Sequence, residues 1–212
     1  VCCNFPETMK GLPDSKAVLT GTPIRDELFQ GDRKRGLALC GFDESKPVLM
    51  VIGGSLGASS VNKTVRDNLD ALLQKFQIVH LCGKDKMDNL LLTRPGYRQF
   101  EYVKEDLKDL YAMADIVLSR AGANAICELL ALKKPNLLVP LPTGRGDQKL
   151  NAASFEAQGY SIVVQDDDLP DVMLEKISEL YEHRDQYISA MEKSSQTDSN
   201  HLVLSLIEQE AK

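Results

Sequence analysis

The chain has 212 residues, of which 43% are hydrophobic and 26% are charged, a balance typical of a folded globular protein. Its net charge of -6 argues against a nucleic-acid-binding protein, because phosphate contacts need a basic surface. No apolar segment approaches the length of about 18 residues that a membrane-spanning helix needs, and nothing at the start resembles a secretory signal.

The first two dozen residues lack a regular alternation of strand and helix patterns. The segment NFPETMKGLPDSKAVLTGTPIR, residues 4–25, is rich in Pro, Gly and Thr around one short apolar piece. The chain also begins with Val1 rather than with Met. We therefore expect a piece of a longer protein, in which residues 1–24 are the tail of a preceding domain followed by a hinge.

The cysteines are an adjacent pair and three isolated residues in apolar surroundings. They are Cys2, Cys3, Cys40, Cys82 and Cys127. An odd number with these spacings is neither a disulfide framework nor a zinc-binding pattern, which favours a reducing cytosol.

Apolar runs recur along the rest of the chain, separated by amphipathic segments. The runs are VLMVIG (48–53), IVHLC (78–82), QFEYV (99–103), DIVLS (115–119), NLLVPL (136–141) and YSIVV (160–164). Continuous apolar runs indicate strands that are buried on both faces, and hence a mostly parallel sheet.

Helices are predicted between these strands and after the last one. Val61, Val65, Leu69, Leu72 and Phe76 recur at steps of three and four, which places them on one face of one helix. Further helices are expected near residues 105–114, 123–132, 147–158, 169–192 and 198–211. The alternation predicts an α/β fold: a doubly wound, Rossmann-like parallel sheet of six strands, whose ligands bind at the carboxyl ends of strands where the strand order reverses.

The first candidate site is the glycine-rich turn in VLMVIGGSLGASSVN, residues 48–62. Backbone N–H groups at a helix N-terminus attract phosphate, and Ser55 adds a hydroxyl. A P-loop is excluded because the required Lys and Ser/Thr pair does not follow, and Ile52 stands where a dinucleotide fingerprint needs its first glycine. A tight packing turn without a ligand stays open as the alternative.

A second turn of the same kind occurs in DIVLSRAGANAICELLALKKP, residues 115–135. The small residues Ala121, Gly122 and Ala123 would let another molecule approach the backbone closely. On the following helix, the carboxylate of Glu128 suits the two hydroxyls of a ribose. From the residues alone, a solvated helix glutamate is the favoured interpretation.

A third candidate is the loop and helix start in VPLPTGRGDQKLNAASFEAQG, residues 139–159. Gln148 and Asn151 are three residues apart and share a helix face, and amide side chains suit sugar hydroxyls. Asp147 alternatively acts as a simple helix cap.

Four segments in this order and spacing resemble the carboxyl-terminal half of the MurG family. They are TGTPIR (20–25), GGSLGASSVN (53–62), SRAGANAICELLALKKP (119–135) and GDQKLNAASFEAQG (146–159). The family transfers N-acetylglucosamine from UDP-GlcNAc to lipid I, an undecaprenyl-diphosphate-linked muramoyl-pentapeptide, and gives lipid II for peptidoglycan. The resemblance implies one half of an inverting, two-domain GT-B glycosyltransferase, with the UDP-sugar-binding domain at residues 25–197. Residues 198–212 would form a helix returning toward the amino-terminal domain.

The resemblance also implies roles for individual residues. Arg25 and Ser55 would contact the diphosphate, with helix dipoles at Gly57 and Ala123, and the backbone of Val103 would meet the uracil. The segment lining nucleotide and sugar would be Ala123, Asn124, Ala125, Ile126, Cys127 and Glu128, with Glu128 on the ribose. Gln148 and Asn151 would hold the sugar. Asp147 stands where some members have a second glutamine, so the choice between GlcNAc and glucose stays open.

Transfer also needs a base, and the family has it in the amino-terminal domain, together with the lipid-acceptor site and the membrane contact. We therefore expect no metal, no cofactor and no catalytic residue in this chain, which would bind UDP-GlcNAc but be inactive alone. The location implied is the cytoplasmic face of the bacterial cell membrane, as a peripheral protein. His80 is expected to be a core residue, since it lies inside an apolar strand.

Three alternatives stay open. A glycolipid glucosyltransferase using UDP-glucose would share the nucleotide motifs. A donor-binding subunit that is inactive without a partner chain would share the whole domain. A nicotinamide-dependent enzyme is disfavoured because no acidic residue ends the second strand to hold a ribose.

Overall fold

The computed structural model describes residues 1–13, 16–54, 57–143, 146–194 and 199–210. The strands are β1 (Cys2–Cys3), β2 (Val18–Leu19), β3 (Val48–Ile52), β4 (Gln77–Leu81), β5 (Tyr97–Phe100), β6 (Ile116–Ser119), β7 (Asn136–Leu138) and β8 (Ser161–Val163). The helices are α1 (Pro6–Met9), α2 (Arg33–Cys40), α3 (Ser59–Asp67), α4 (Leu69–Lys75), α5 (Leu107–Met113), α6 (Ala123–Ala131), α7 (Asp147–Ala157), α8 (Leu169–Glu182), α9 (Arg184–Glu192) and α10 (Ser199–Glu210). Short 3₁₀ turns lie at Asp26–Gln30 and Asn89–Leu91.

The main sheet has six strands in the order β5-β4-β3-β6-β7-β8, and all neighbouring pairs are parallel. The chain builds outward from β3 through β4 and β5, then returns to the other side of β3 for β6. The strand order therefore reverses between β3 and β6, and doubly wound sheets bind their ligands at the carboxyl ends of the strands at such a point. The predicted doubly wound parallel sheet is confirmed.

β3 shows why its apolar run is continuous. Val48 and Met50 pack into the core on one face of the sheet, and Leu49 and Val51 pack into the core on the other. All four are fully buried. Helices cover both faces, so neither set of side chains meets water.

The predicted helix over Val61 to Phe76 is two helices. Asn68, with φ of -106° and ψ of 13°, leaves the helical conformation and separates α3 from α4, and Phe76 follows α4 in an extended conformation. The apolar face is nevertheless as predicted, because all five of its residues are buried.

The strand predicted at residues 99–103 is displaced. β5 begins at Tyr97 and ends at Phe100, in register with Ile78 to Leu81 of β4. β4 ends at Leu81, and the chain turns at Gly83, whose φ is 90°. Beyond Phe100, β5 therefore has no strand beside it to pair with. Tyr102 is accordingly 66% exposed, and Val103 lies in a loop rather than in the strand.

The helix α2 was not predicted. Its sequence RKRGLALC has no clear apolar stripe; Leu37 and Cys40 pack in the core, and polar contacts hold the helix in addition. The carboxylate of Asp109 in α5 accepts hydrogen bonds from the Arg35 guanidinium at 3.0 and 3.1 Å and from the backbone N–H of Asp32 at 2.7 Å. These bonds lower the pKa of Asp109, chiefly through Arg35.

The amino-terminal residues form a small unit apart from the main sheet. β1 and β2 pair in parallel as a separate sheet of two strands, with α1 between them along the chain. The predicted region 169–192 consists of α8 and α9, and α10 begins at Ser199. The domain limits at residues 24 and 197 stay predictions.

Candidate functional site

The first turn follows β3, and glycine is required there by the fold itself. Gly57 has a φ of 67°, and a Cβ added to it would lie 1.9 Å from the carbonyl oxygen of Cys82. At Gly53 an added Cβ would lie 2.6 Å from the N of Ala58. Ser55 lies outside the described residues, so its predicted contact with the diphosphate stays a prediction.

The second turn follows β6, and its glycine has no such requirement. Gly122 has an ordinary φ of -67° and is the N-cap of α6, without a side-chain hydrogen bond at the cap. No heavy atom among the described residues lies within 4 Å of the position of an added Cβ. None of the described residues therefore fills the space beside this glycine.

The two turns leave the same edge of the sheet. Ile52 at the end of β3 pairs in register with Ser119 at the end of β6. The turns are therefore neighbours, and α3 and α6, which follow them, both begin at this edge. The prediction that two small-residue turns lie at adjoining strand ends is confirmed.

Buried hydrogen bonds from Arg120 fix this edge. Its guanidinium donates to the carbonyl oxygens of Val139 and Pro140 at 3.1 and 3.3 Å, and to the hydroxyl of Ser60 at 2.9 Å. It also pairs with the carboxylate of Asp166 at 2.5 Å. One side chain thus ties β6 to the ends of β7 and β8 and to the start of α3.

Glu128 is held in place between two side chains. Its Oε1 lies 3.3 Å from Nη2 of Arg25, and its Oε2 accepts a hydrogen bond of 3.1 Å from the hydroxyl of Tyr111. The Glu128 side chain is only 17% exposed. The interpretation as a solvated helix glutamate is therefore wrong. Burial, with the nearby carboxylate, raises the pKa of Tyr111 and keeps it a hydrogen-bond donor.

Tyr111 was not among the site residues predicted from the sequence. The sequence feature that could have indicated it is a tyrosine on the predicted helix before β6, because a buried tyrosine hydroxyl normally needs a hydrogen-bond partner.

The predicted sugar-binding face lies at the start of α7. Oε1 of Gln148 accepts a hydrogen bond of 3.0 Å from the backbone N–H of Leu141, and Nδ2 of Asn151 donates to the carbonyl oxygen of Ala121 at 3.1 Å. Asp147 is exposed and is the first residue of the helix rather than its cap, which is Gly146. Asn151 thereby connects the third candidate segment to the second turn. A hollow of about 430 Å³ between α1 and α7 adjoins this face at Asp147 and Asn151.

The remaining predicted residues differ in what they expose. Ala123, Asn124 and Ala125 have accessible atoms in the first turn of α6, whereas Ile126 and Cys127 are 0% and 5% exposed. The side chains of these two belong to the core, and burial raises the pKa of the Cys127 thiol. Any contact of theirs with a ligand would have to be made by the backbone. The same applies to Val103, which is 9% exposed.

Within the described ranges, no group of three or more His, Cys, Asp or Glu side chains is placed to hold a metal ion. Among the helices described, none combines the length and the apolar character that crossing a bilayer requires.

The comparison with family models matches residues 48–205 to the glycosyltransferase family 28 C-terminal domain. Among curated proteins, the chain is 56% identical to a UDP-N-acetylglucosamine--N-acetylmuramyl-(pentapeptide) pyrophosphoryl-undecaprenol N-acetylglucosamine transferase of Lachnospira eligens, over 100% of the chain and 61% of the relative. It is 53% identical to the protein of the same name in Clostridium botulinum, with the same coverage. The chain thus spans about three fifths of the length of these relatives.

Solved structures share the fold. MurG of Acinetobacter baumannii superimposes with a TM-score of 0.72 at 23% identity, covering 99% of this chain and 60% of that one. UDP-GlcNAc 2-epimerase from Neisseria meningitidis, a structure bound to UDP-GlcNAc, superimposes with a TM-score of 0.63 at 17% identity, covering 95% of this chain and 57% of that one.

Proposed function

Since the chain belongs to the glycosyltransferase family 28 C-terminal domain family, we propose that it is the donor-binding part of a transferase of peptidoglycan synthesis. The reaction moves N-acetylglucosamine from UDP-GlcNAc to lipid I, which yields lipid II. The relatives from Lachnospira eligens and Clostridium botulinum carry names that describe a transfer of N-acetylglucosamine to an undecaprenol-linked pentapeptide.

One observation carries this proposal: Glu128 is held by Arg25 and Tyr111 on the helix that starts at the second turn. A carboxylate in this position accepts hydrogen bonds from the two ribose hydroxyls. The backbone N–H groups at the starts of α3 and α6 then face the diphosphate, since both helices begin at the edge where the strand order reverses. The space beside Gly122, which the described residues leave open, accommodates the ligand.

The chemistry assigned to this chain is stabilisation of the leaving group. When the glycosidic bond breaks, negative charge develops on UDP, and the helix N-termini together with Arg25 stabilise it without a metal. Deprotonation of the acceptor hydroxyl requires a base, which we assign to the part of the relatives that this chain does not span. The chain by itself therefore binds the donor and transfers nothing.

The acceptor and membrane contacts are assigned to that same part. The protein would then be peripheral, at the cytoplasmic face of the bacterial membrane. The net charge of -6 supports this division, because an acidic domain is repelled by anionic lipid headgroups.

Calorimetric titration of this chain with UDP-GlcNAc, UDP-glucose and NAD tests the proposal. We expect saturable binding of UDP-GlcNAc, weaker binding of UDP-glucose and none of NAD. Preference for UDP-glucose would favour a glycolipid glucosyltransferase, and binding of NAD alone would overturn the proposal.

A second measurement tests the division of labour. The chain is incubated with UDP-GlcNAc and a lipid I analogue, and release of UDP is followed. We expect no turnover, and turnover would place the base within these 212 residues.

A further inference from the structure

Asn200 of α10 bonds to both residues that flank Arg25: to the backbone of Ile24 and to the side chain of Asp26. Its Oδ1 accepts a hydrogen bond of 3.1 Å from the backbone N–H of Ile24, and its Nδ2 donates to the carbonyl oxygen of Ile24 at 2.7 Å. Nδ2 also donates to Oδ1 of Asp26 at 3.0 Å. One amide side chain thus joins the two residues that flank Arg25, from 176 positions away along the chain.

The same segment is also anchored in the core. Ile24 is 9% exposed and packs in the core, so this residue is held both by the core and by Asn200. The Arg25 side chain itself is 50% exposed, and it reaches Glu128 and Glu27 at 3.3 Å each.

The ion pair alone is too weak to place this arginine. A half-exposed pair is worth little, because water and salt screen it and two long side chains lose rotamer freedom. Because Asn200 holds the Ile24 backbone and the Asp26 carboxylate, the segment that carries Arg25 loses much of its remaining freedom before any ligand arrives, and such preorganisation strengthens binding.

We infer that Asn200 is a positioning residue of the donor site: it holds the segment that carries Arg25 so that the guanidinium lies beside Glu128, ready to meet a nucleoside diphosphate. The inference rests on the proposed function, since it assigns the diphosphate to Arg25. None of the site residues predicted from the sequence lies on α10.

A purely structural role for Asn200, which would only attach α10 to the domain, makes a different prediction. Loss of structure would weaken the binding of UDP and of uridine alike. Loss of positioning would weaken only the binding of UDP, because uridine has no phosphate for Arg25 to contact. The ratio of the two affinities therefore separates the roles.

The experiment compares Asn200→Ala with His201→Ala, which truncates the exposed next residue of the same helix. UDP binding is measured by calorimetry and uridine binding by NMR titration. For Asn200→Ala we expect UDP affinity to fall about tenfold and uridine affinity to change less than about twofold. His201→Ala should leave both unchanged.

Two further variants keep the test decisive if Asn200→Ala unfolds. Asp26→Ala removes one of the three hydrogen bonds and should weaken UDP binding by about two- to threefold. When Arg25→Ala is already present, adding Asn200→Ala or Asp26→Ala should hardly change UDP affinity further, because the side chain being positioned is absent.

The outcomes are distinct. Equal weakening of UDP and uridine, or unchanged binding in Asn200→Ala and Asp26→Ala, would overturn the positioning role while the proposed function stands. Absence of UDP binding by the unaltered chain would overturn both.

Discussion

The two turns at the sheet edge have similar sequences but need their glycines for different reasons. Gly57 in the first turn has a positive φ and lies against the Cys82 carbonyl, so the fold cannot accept a side chain there. Gly122 in the second turn has an ordinary φ, and none of the described residues approaches the position of a Cβ there within 4 Å. A glycine that folding does not need indicates that space is needed for something else, so the second turn is the better marker of a ligand.

The largest expected effect is on folding, from Gly57→Ala. A Cβ at 1.9 Å from the Cys82 oxygen forces the turn away from β4, on top of the strain of a positive φ. We expect a loss of about 3 kcal/mol or more in the free energy of unfolding, measured by urea denaturation.

Gly41→Ala is the matched control for this substitution. Gly41 has a φ of 69°, but an added Cβ would meet no atom within 4 Å in the part of the chain that the structure describes. Gly41→Ala should lower the free energy of unfolding by only about 1 kcal/mol, because it introduces the backbone strain without the close contact. Equal losses in the two variants would show that the contact with Cys82 is unimportant.

The next largest effect concerns the helix after the second turn. Glu128→Gln keeps the shape but loses the charge, and we expect UDP affinity to fall by about thirtyfold, or about 2 kcal/mol. Calorimetry with UDP and 2′-deoxy-UDP provides the specific readout. The unaltered chain should prefer UDP, and the variant should lose most of that preference.

Glu105→Gln, at an exposed position, is the control for loss of a glutamate charge. If Glu128→Gln kept the full preference for UDP over the deoxy ligand, Glu128 would not contact the ribose.

Gly122→Ala should separate binding from folding. Its Cβ meets no described atom, so we expect the free energy of unfolding to change by less than about 0.5 kcal/mol. UDP-GlcNAc affinity should fall about tenfold, since the methyl group occupies space assigned to the ligand. Unchanged affinity in calorimetry would remove the second turn from the site.

The smallest expected effect, over the range from pH 7.0 to about pH 5.5, is a pH dependence beneath the first turn. Nδ2 of Asn62 donates to the Cys82 carbonyl at 2.9 Å, its Oδ1 lies 2.9 Å from Nε2 of His80, and Nδ1 of His80 lies 2.7 Å from the Tyr97 hydroxyl. Asn62 thus presents an acceptor to Nε2–H, and a neutral ring leaves Nδ1 to accept from the Tyr97 hydroxyl. Burial lowers the pKa of His80 to about 3.

Between pH 6.5 and this value the unfolded chain binds a proton that the folded chain does not. The contribution of neutral His80 to stability is therefore fully present above about pH 6.5. Below that pH the free energy of unfolding falls by about 1.4 kcal/mol for each pH unit. Urea denaturation at pH 7.0 and about pH 5.5 measures the slope. His80→Gln should flatten it, and an unchanged slope in this variant would assign the acid sensitivity to other groups.

The sheet could be predicted because burial on both faces leaves a clear mark in the sequence. The buried state of His80 followed in the same way from its place inside an apolar run. The end of β5 could not be predicted, since it depends on where the neighbouring strand β4 stops. The break at Asn68 was hidden because the apolar face continues across it.

The candidate site was predictable only in part. The two turns and Glu128 follow local patterns, and their meeting at one edge follows from a parallel sheet. The partners of Glu128 are 103 and 17 residues away in the chain, so no local pattern reveals them. The positions of α2 and Asn200 depend on side-chain hydrogen bonds between distant segments, which periodicity does not encode.

In the site proposed above, the hydrogen bond from Asn151 to the carbonyl of Ala121 links the sugar contact to the second turn. A substitution of Asn151 that suits another hexose would remove this bond and release the segment ahead of α6, so we expect donor choice and nucleotide affinity to change together. Oε1 of Gln148 accepts a hydrogen bond from the backbone of Leu141, in the loop before its own helix, so Gln148 is the safer position for a saturation library.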